Sequence, residues 1–342
     1  MAAVGLVYAP EWQRYPDPAT DLDVVRLTNP GFAAGMSGRP LRQFNRRSDL
    51  LLYSSDRTGS PQAYVMDLQS GQSKLLTEAA ALDTATLTLS ADDRGIFFFD
   101  GPTLHTTAIS TGRSREICTS PHTVMTLGSD GAIYFVSRED NRSRLYSLPR
   151  PLLPGARPRQ ILETEEEIQS ISARPRHPQL FLHTQSGLSL LNADGTGKRQ
   201  IRIEPGETGD AAWTPTGRTL TYLHIPDNAR ELITLREFNP EDNSDRLIAK
   251  TSQFISAGAN GDASVFAGAS RSKASAYILI LVRSVKRELA LCEHHASDPR
   301  MVEPVFSPDS HSIVFVSDRH GKPALYQVHV ERFVEETLSE DQ

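Results

Sequence analysis

Histidine, carboxylate and guanidinium side chains are the groups from which this chain could build a site, and their spacing decides which chemistry is open to them. His294 and His295 follow Cys292 and invite a metal reading. Neighbours on a strand point to opposite faces, however, so the two cannot easily share one ion, and an ordinary turn is the alternative. His183 and His105 stand singly in strand-like stretches, where a satisfied structural place competes with a ligand role. Arg39, Arg42, Arg46 and Arg47 cluster over a short span. A guanidinium offers a planar fork that grips a carboxylate through two parallel hydrogen bonds. Arg42, with Arg39, is therefore a candidate clamp for an anionic ligand, against the alternative of a solvated basic turn, which is the better reading for Arg46 and Arg47. The chain has no phosphate-binding Gly-rich loop and no Gly-x-Ser-x-Gly elbow. It also lacks a basic stripe interleaved with aromatics, so nucleic acid is not an expected partner.

The elements that must position these groups repeat along the chain. A short polar turn followed by an apolar strand reads Phe44-Asn-Arg-Arg47 then Leu50-Leu-Leu-Tyr53, and Phe306-Ser-Pro-Asp309 then Ile313-Val-Phe-Val316. Weaker copies begin at Leu89, Leu127, Ala173, Trp213 and Ala259, about seven in all. Their interval of roughly 38 to 47 residues is that of one four-stranded propeller blade, and the apolar runs are short, rich in Val, Ile, Phe and Tyr, and bounded by Gly, Asp, Ser or Pro. The expected fold is an all-β, seven-bladed propeller with inner strands near Leu41, Ala85, Val124, Ile168, Gly209, Phe254 and Val302. After Val328 the last copy lacks an outer strand, while Asp23-Val-Val-Arg-Leu-Thr28 mimics Ser73-Lys-Leu-Leu-Thr77. Pairing of that N-terminal strand with the last blade would close the ring and leave no open sheet edge there. Arg42 then falls in the strand that lines the channel.

Length alone allows two domains, but the repeats run from about Leu41 to Val330 without a break in composition. The reading is an N-terminal extension over 1–21, a single propeller over 22–334 and an acidic tail over 335–342, with 149–158 as a hairpin excursion within one copy. The net charge of −6 lies partly in solvated acidic runs, and with two cysteines no disulfide framework is implied. No export signal and no membrane-length apolar stretch are read, so a cytoplasmic location without membrane contact is expected.

Several phrases resemble the oligogalacturonate lyases, which look like relatives of the TolB-type propellers with their WD40-like repeats. They are Tyr15-Pro-Asp-Pro-Ala-Thr20 through Val25-Arg-Leu-Thr-Asn-Pro30, then Leu51-Leu-Tyr to Asp56-Arg-Thr-Gly59, Tyr64-Val-Met-Asp-Leu68, Lys74-Leu-Leu-Thr77, Ser90-Ala-Asp-Asp-Arg94, Leu190-Leu-Asn-Ala-Asp-Gly195, and Phe306-Ser-Pro-Asp to Ser317-Asp-Arg-His-Gly321-Lys-Pro-Ala-Leu-Tyr326. The match covers almost the whole chain in order, but in scaffold motifs. The resemblance implies a seven-bladed propeller that splits short pectin-derived galacturonides by β-elimination with a divalent metal, Mn²⁺ or another. Such a step needs a cation against the developing charge at the carboxylate and a base within reach of C5.

The metal motif implied by the resemblance is altered. Counting back from Phe306-Ser-Pro308, Met301 and Glu303 hold the places of a histidine pair, Asp298 that of a glutamine, and Gln253 that of a further histidine; Gly187 falls near the place of a base arginine. Gln253, Asp298 and Glu303 remain an oxygen-rich set that would suit Mg²⁺, Ca²⁺ or Mn²⁺ rather than a His-preferring metal. The expected function is a lyase-like propeller that binds a short anionic uronate sugar through Arg42 and Arg39, with weak or lost activity, since loss of several catalytic groups lowers rates by orders of magnitude. The alternatives are an active lyase of pectin degradation with an altered metal site, and a non-catalytic propeller whose faces bind a protein partner.

Overall fold

The computed structural model describes residues 3–150, 154–228, 230–251, 253–331 and 333, so the acidic run 335–342 lies outside the described residues. Seven antiparallel sheets follow one another along the chain, spanning 34–75 (blade I), 82–119 (II), 124–164 (III), 168–200 (IV), 207–251 (V), 258–293 (VI) and 305–329 (VII). Each is the alternation of short, β-branched and aromatic strands that the sequence displays.

The repeated polar turn acts through its first polar side chain. Ser307 Oγ donates to Asp309 at 2.5 Å and accepts from the backbone N–H of Ser312 at 3.0 Å. Ser90 does the same with Asp92 and Gly95 in blade II. In blades I and VI the carbonyl oxygens of Asn45 and Asn260 accept from the N–H groups of Leu50 and Val265. These local bonds substitute for ladder bonds at the chain reversal and so fix the register of the strand that follows.

Each sheet is apolar on both faces and buries them against its neighbours. Clusters join blades I and II (Leu52, Leu87, Phe98), II and III (Phe99, Ile117, Phe135), III and IV (Val136, Leu145, Leu182), IV and V (Phe181, Trp213, Tyr222), V and VI (Leu235, Phe266, Leu281), and VI and VII (Ile280, Leu291, Phe315). A seventh, with Val25, Tyr53, Val314 and Leu325, joins VII back to I and completes the ring. Full burial of one such aliphatic or phenyl side chain contributes about 1.5–3 kcal/mol.

Closure occurs as the sequence implies. Asp23–Arg26 pairs antiparallel with Ala324–His329 of blade VII, with Val24 opposite Val328 and Arg26 opposite Tyr326. The residues read as an extension also carry strands: Val7–Tyr8 adds to Ser73–Leu75 of blade I, and Gln13–Pro16 adds to Asp23–Arg26.

One boundary differs from expectation. The inner strand of blade I is Ala34–Gly35, not the stretch around Leu41, and its ladder resumes only at the Phe44–Leu51 bridge. Between them the chain leaves the sheet, and Leu41 buries its side chain beside Phe97, Phe99 and Met125 in the core of blades II and III. An apolar residue followed by a polar turn looked like a strand; it is an anchor for a loop.

Candidate functional site in the axial channel

The loop 36–43 is held by its own side chains. Gln43 donates from Nε2 to Ser37 Oγ and to the carbonyl of Gly38, and Ser37 Oγ donates to the carbonyl of Leu87 in blade II. This projects Arg39 across the ring. Its Nη2 donates to Asp210 Oδ2 at 2.6 Å, and its Nη1 to the carbonyl of Ala257. Asp210 sits in the inner strand of blade V, which is not a ring neighbour of blade I, so the two can meet only near the axis. The pair is largely shielded, with side-chain exposures of 19% and 25%.

Asp210 is positioned by a local irregularity. The ladder of Glu207–Trp213 breaks between Gly209 and Ala212, and Asp210 takes a positive φ of 44°. Its Oδ2 also accepts from the N–H of Ala257 at 2.5 Å, tying blade V to blade VI.

Glu303 completes the cluster from just before the inner strand of blade VII. It is open to channel solvent, yet protein surrounds it. That partial desolvation, reinforced by the Asp210 carboxylate and opposed by Arg39, pushes its pKa above the ordinary glutamate value. Gly38, at a φ of +74°, makes the necessary room: a Cβ there would lie 2.3 Å from Glu303 Oε2. The cluster thus holds two carboxylates against one guanidinium, and Glu303 is the group in it suited to take up a proton.

The other residues singled out from the sequence lie elsewhere. Arg42 donates to the carbonyl of Ser90 at 2.7 Å and to Asp93 Oδ1 at 2.6 Å, clasping the turn of blade II, and any grip on a ligand competes with that pair. Arg46 clasps the same turn through the carbonyl of Ala91. Gln253 Oε1 accepts from Ser270 Oγ at 2.9 Å. Asp298 caps the short turn Pro299–Met301 and turns both oxygens to the Arg300 guanidinium, at 3.1 and 3.0 Å from Nε. The charges acting on Glu303 are those of Asp210 and Arg39. Met301 packs on the core of blades VI and VII, and Gly187 forms a hairpin turn at a φ of 115°.

His294 and His295 diverge. His294 is fully buried, accepts from the N–H of Ala296 at Nδ1 and so faces the carbonyl of Ser270 with a protonated Nε2; burial lowers its pKa to about 4. His295 is exposed beside Glu293. Burial also lowers the pKa of His183, while His105 stacks on Phe98.

These donors do not fit a divalent ion. Among the described residues no group of three or more His, Cys, Asp and Glu side chains is placed to hold one, the oxygens of Asp298 face a guanidinium, and Gln253 Oε1 is bonded to Ser270. Asp210 is not among the residues marked by the sequence; its signal there is limited to the Gly209-Asp210 step within Glu207–Trp213.

No protein-family model matches the chain. It is similar to an oligogalacturonide lyase of Pectobacterium atrosepticum, 23% identical over 367 residues that cover 91% of this chain and 94% of the relative. Among solved structures, an oligogalacturonate lyase in complex with manganese superposes with a TM-score of 0.90 at 21% identity, covering 98% of this chain and 100% of the other. The oligogalacturonate lyase of Vibrio parahaemolyticus gives 0.89 at 19% identity, covering 96% and 99%. The chain therefore has the seven-bladed propeller of the oligogalacturonate lyases and resembles them along its whole length, and no helix among its described residues is long and apolar enough to cross a membrane.

Proposed function

We propose that this lyase-like propeller binds a short oligogalacturonide, or another uronate sugar, in its axial channel, with β-elimination weak or lost. The observation that carries the reading is the Arg39–Asp210–Glu303 cluster on the axis, which brings a guanidinium and a protonatable carboxyl together. Arg39 offers a uronate carboxylate the N–H groups that Asp210 and the Ala257 carbonyl leave over, so its grip competes with that ion pair, and Glu303 takes up a proton when the negative charge arrives. Arg42 supports the site from the side by holding the turn at Ser90 and Asp93. A protonated Glu303 can donate a hydrogen bond to the incoming carboxylate. Arg39 brings one positive charge to the cluster and Asp210 neutralises it, so little is left to stabilise the charge that builds up when a proton next to a carboxylate is removed. Both cysteines are free, which fits a reducing compartment, and the reading places the protein in the cytoplasm as a carbohydrate-binding relative of pectin-degrading lyases.

The test is calorimetric titration with di- and trigalacturonate, paired with the ultraviolet absorbance of the unsaturated product, each with and without Mn²⁺. Binding without turnover is the expected result. Turnover above background would restore the active lyase reading, and the absence of binding would favour a propeller whose faces hold a protein.

A further inference from the structure

Blades I and VII are the two closest copies of the repeat, and one serves as an internal control for the other. In blade I, Arg57 of Asp56-Arg-Thr-Gly59 lies 4.5 Å from the centroid of the Tyr8 ring, which the added strand Val7–Tyr8 brings over Tyr64. Its charge is matched by an ion pair with Glu11. In blade VII, Arg319 of Asp318-Arg-His-Gly321 lies 5.2 Å from the centroid of the Tyr15 ring, brought in by the added strand Gln13–Pro16. Here no carboxylate among the described residues forms an ion pair with it, and Nη1 donates to the carbonyl of Glu293 at 2.8 Å.

The second difference adds charge. Opposite Tyr64 the strand carries Leu75; opposite the equivalent Tyr326 it carries Arg26. Arg26 is half-buried, and its Nε is shut off from solvent without a hydrogen-bond partner, as is the Oη of Tyr15. Leaving a buried donor on a cation unsatisfied is costly, and the cost is recovered when an acceptor arrives. His320 lies between: its Nδ1 meets Tyr326 Oη at 2.9 Å, and burial together with the Arg319 and Arg26 charges keeps its pKa down. Asp318 acts on Tyr326 and Asp17 on Tyr15, but the oxygens of Asp318 already accept from the N–H and Oγ of Ser297, and those of Asp17 from the N–H of Ala19, the Oγ1 of Thr20 and the N–H of Glu293.

The geometry points to an oxyanion site on the outer part of blade VII, built by Arg26, Arg319 and His320 with the phenols of Tyr15 and Tyr326, that takes inorganic phosphate or a phosphate monoester. Two guanidinia without a paired carboxylate among the described residues, beside hydroxyl donors, suit a tetrahedral dianion better than a lone carboxylate, which one fork would satisfy. The site lies outside the channel and does not depend on the uronate reading.

The experiment is titration of the intact protein with inorganic phosphate at constant ionic strength, with chloride replacing it, followed by calorimetry and by ³¹P line width. Saturable binding is expected, weakened at least tenfold in Arg26→Leu, which restores the residue type of blade I. It should be unchanged in Arg46→Gln, which removes an exposed arginine from the turn of blade II. Should Arg26→Leu fail to fold, Arg26→Lys keeps the charge without the fork and is expected to bind several-fold more weakly. Equal affinity in the Arg26 variants, no saturable binding by the wild type, or a preference for galacturonate over phosphate at this site would each overturn the inference.

Discussion

Arg39 and Asp210, from blades that do not touch, form a 2.6 Å ion pair across the axis, and Asp210 passes the connection to blade VI through the N–H of Ala257 at 2.5 Å. One carboxylate thereby links an excursion of blade I to the inner strands of blades V and VI, so the channel wall and the cohesion of the ring share a residue.

Removing that link should weaken the fold. Asp210→Ala leaves the Arg39 guanidinium largely buried without its partner, and hydrogen bonds to charged groups contribute about 1.5–3 kcal/mol. Because the pair keeps some access to solvent, a loss at the lower end of that range is expected. Urea unfolding measures it, and a double-mutant cycle with Arg39→Ala should show coupling. Additive effects would mean that the two side chains act independently.

The raised pKa of Glu303 gives uronate binding a pH dependence of known sign. An incoming carboxylate adds negative charge beside Asp210 and Glu303, so it raises the Glu303 pKa further and binding takes up a proton. Affinity should be constant below the pKa of the free protein, fall by at most about tenfold per pH unit between the free and bound values, and level off above them. In Glu303→Gln the curve should be flat, at the high-affinity level. A wild-type affinity that rises with pH would remove Glu303 from the site.

Gly38 should tolerate no side chain. Its φ of +74° disfavours a Cβ, and the Cβ would sit 2.3 Å from Glu303 Oε2. Gly38→Ala is expected to lose about 1–2 kcal/mol from the left-handed conformation alone. A further loss from displacement of Glu303 should be recovered in part in the Gly38→Ala, Glu303→Ala double variant. Thermal unfolding of the three proteins separates the two contributions, and no recovery would show that Glu303 can move aside freely.

The fold was legible because it is written locally: each turn phrase makes its own side-chain bonds, each strand alternates over a few residues, and the matching ends Asp23–Arg26 and Ala324–His329 pair as their sequences imply. The site was legible only by residue type. From sequence Arg39 reads as a candidate carboxylate clamp and Glu303 as one of an oxygen-rich metal set with Gln253 and Asp298, but the meeting of Arg39 and Glu303 depends on the loop 36–43, which leaves the sheet where Leu41 reads as strand. Counting back from Phe306 placed Asp298 and Glu303 as equals. Asp298 is followed by Pro299 and Arg300, a helix-cap signal that assigns its oxygens to a turn, whereas Glu303 stays in the channel. Asp210 could not be chosen, since its partner lies far away in sequence and only ring closure brings the two together.

Buried His294 should make the protein sensitive to acid. Its folded pKa of about 4 lies below the ordinary value of 6.5, because burial disfavours the imidazolium and the N–H of Ala296 already occupies Nδ1. Between those values the unfolded chain binds a proton that the folded one refuses, so stability falls as pH drops through that window and the loss is complete below the folded value. A shift of this size corresponds to a loss on the order of 3 kcal/mol. The free energy of unfolding in urea, measured from pH 7 to pH 4, should decline more steeply in the wild type than in His294→Gln, whose amide can still donate to the Ser270 carbonyl but does not titrate. Equal slopes for the two proteins would show that His294 is not the source of the decline.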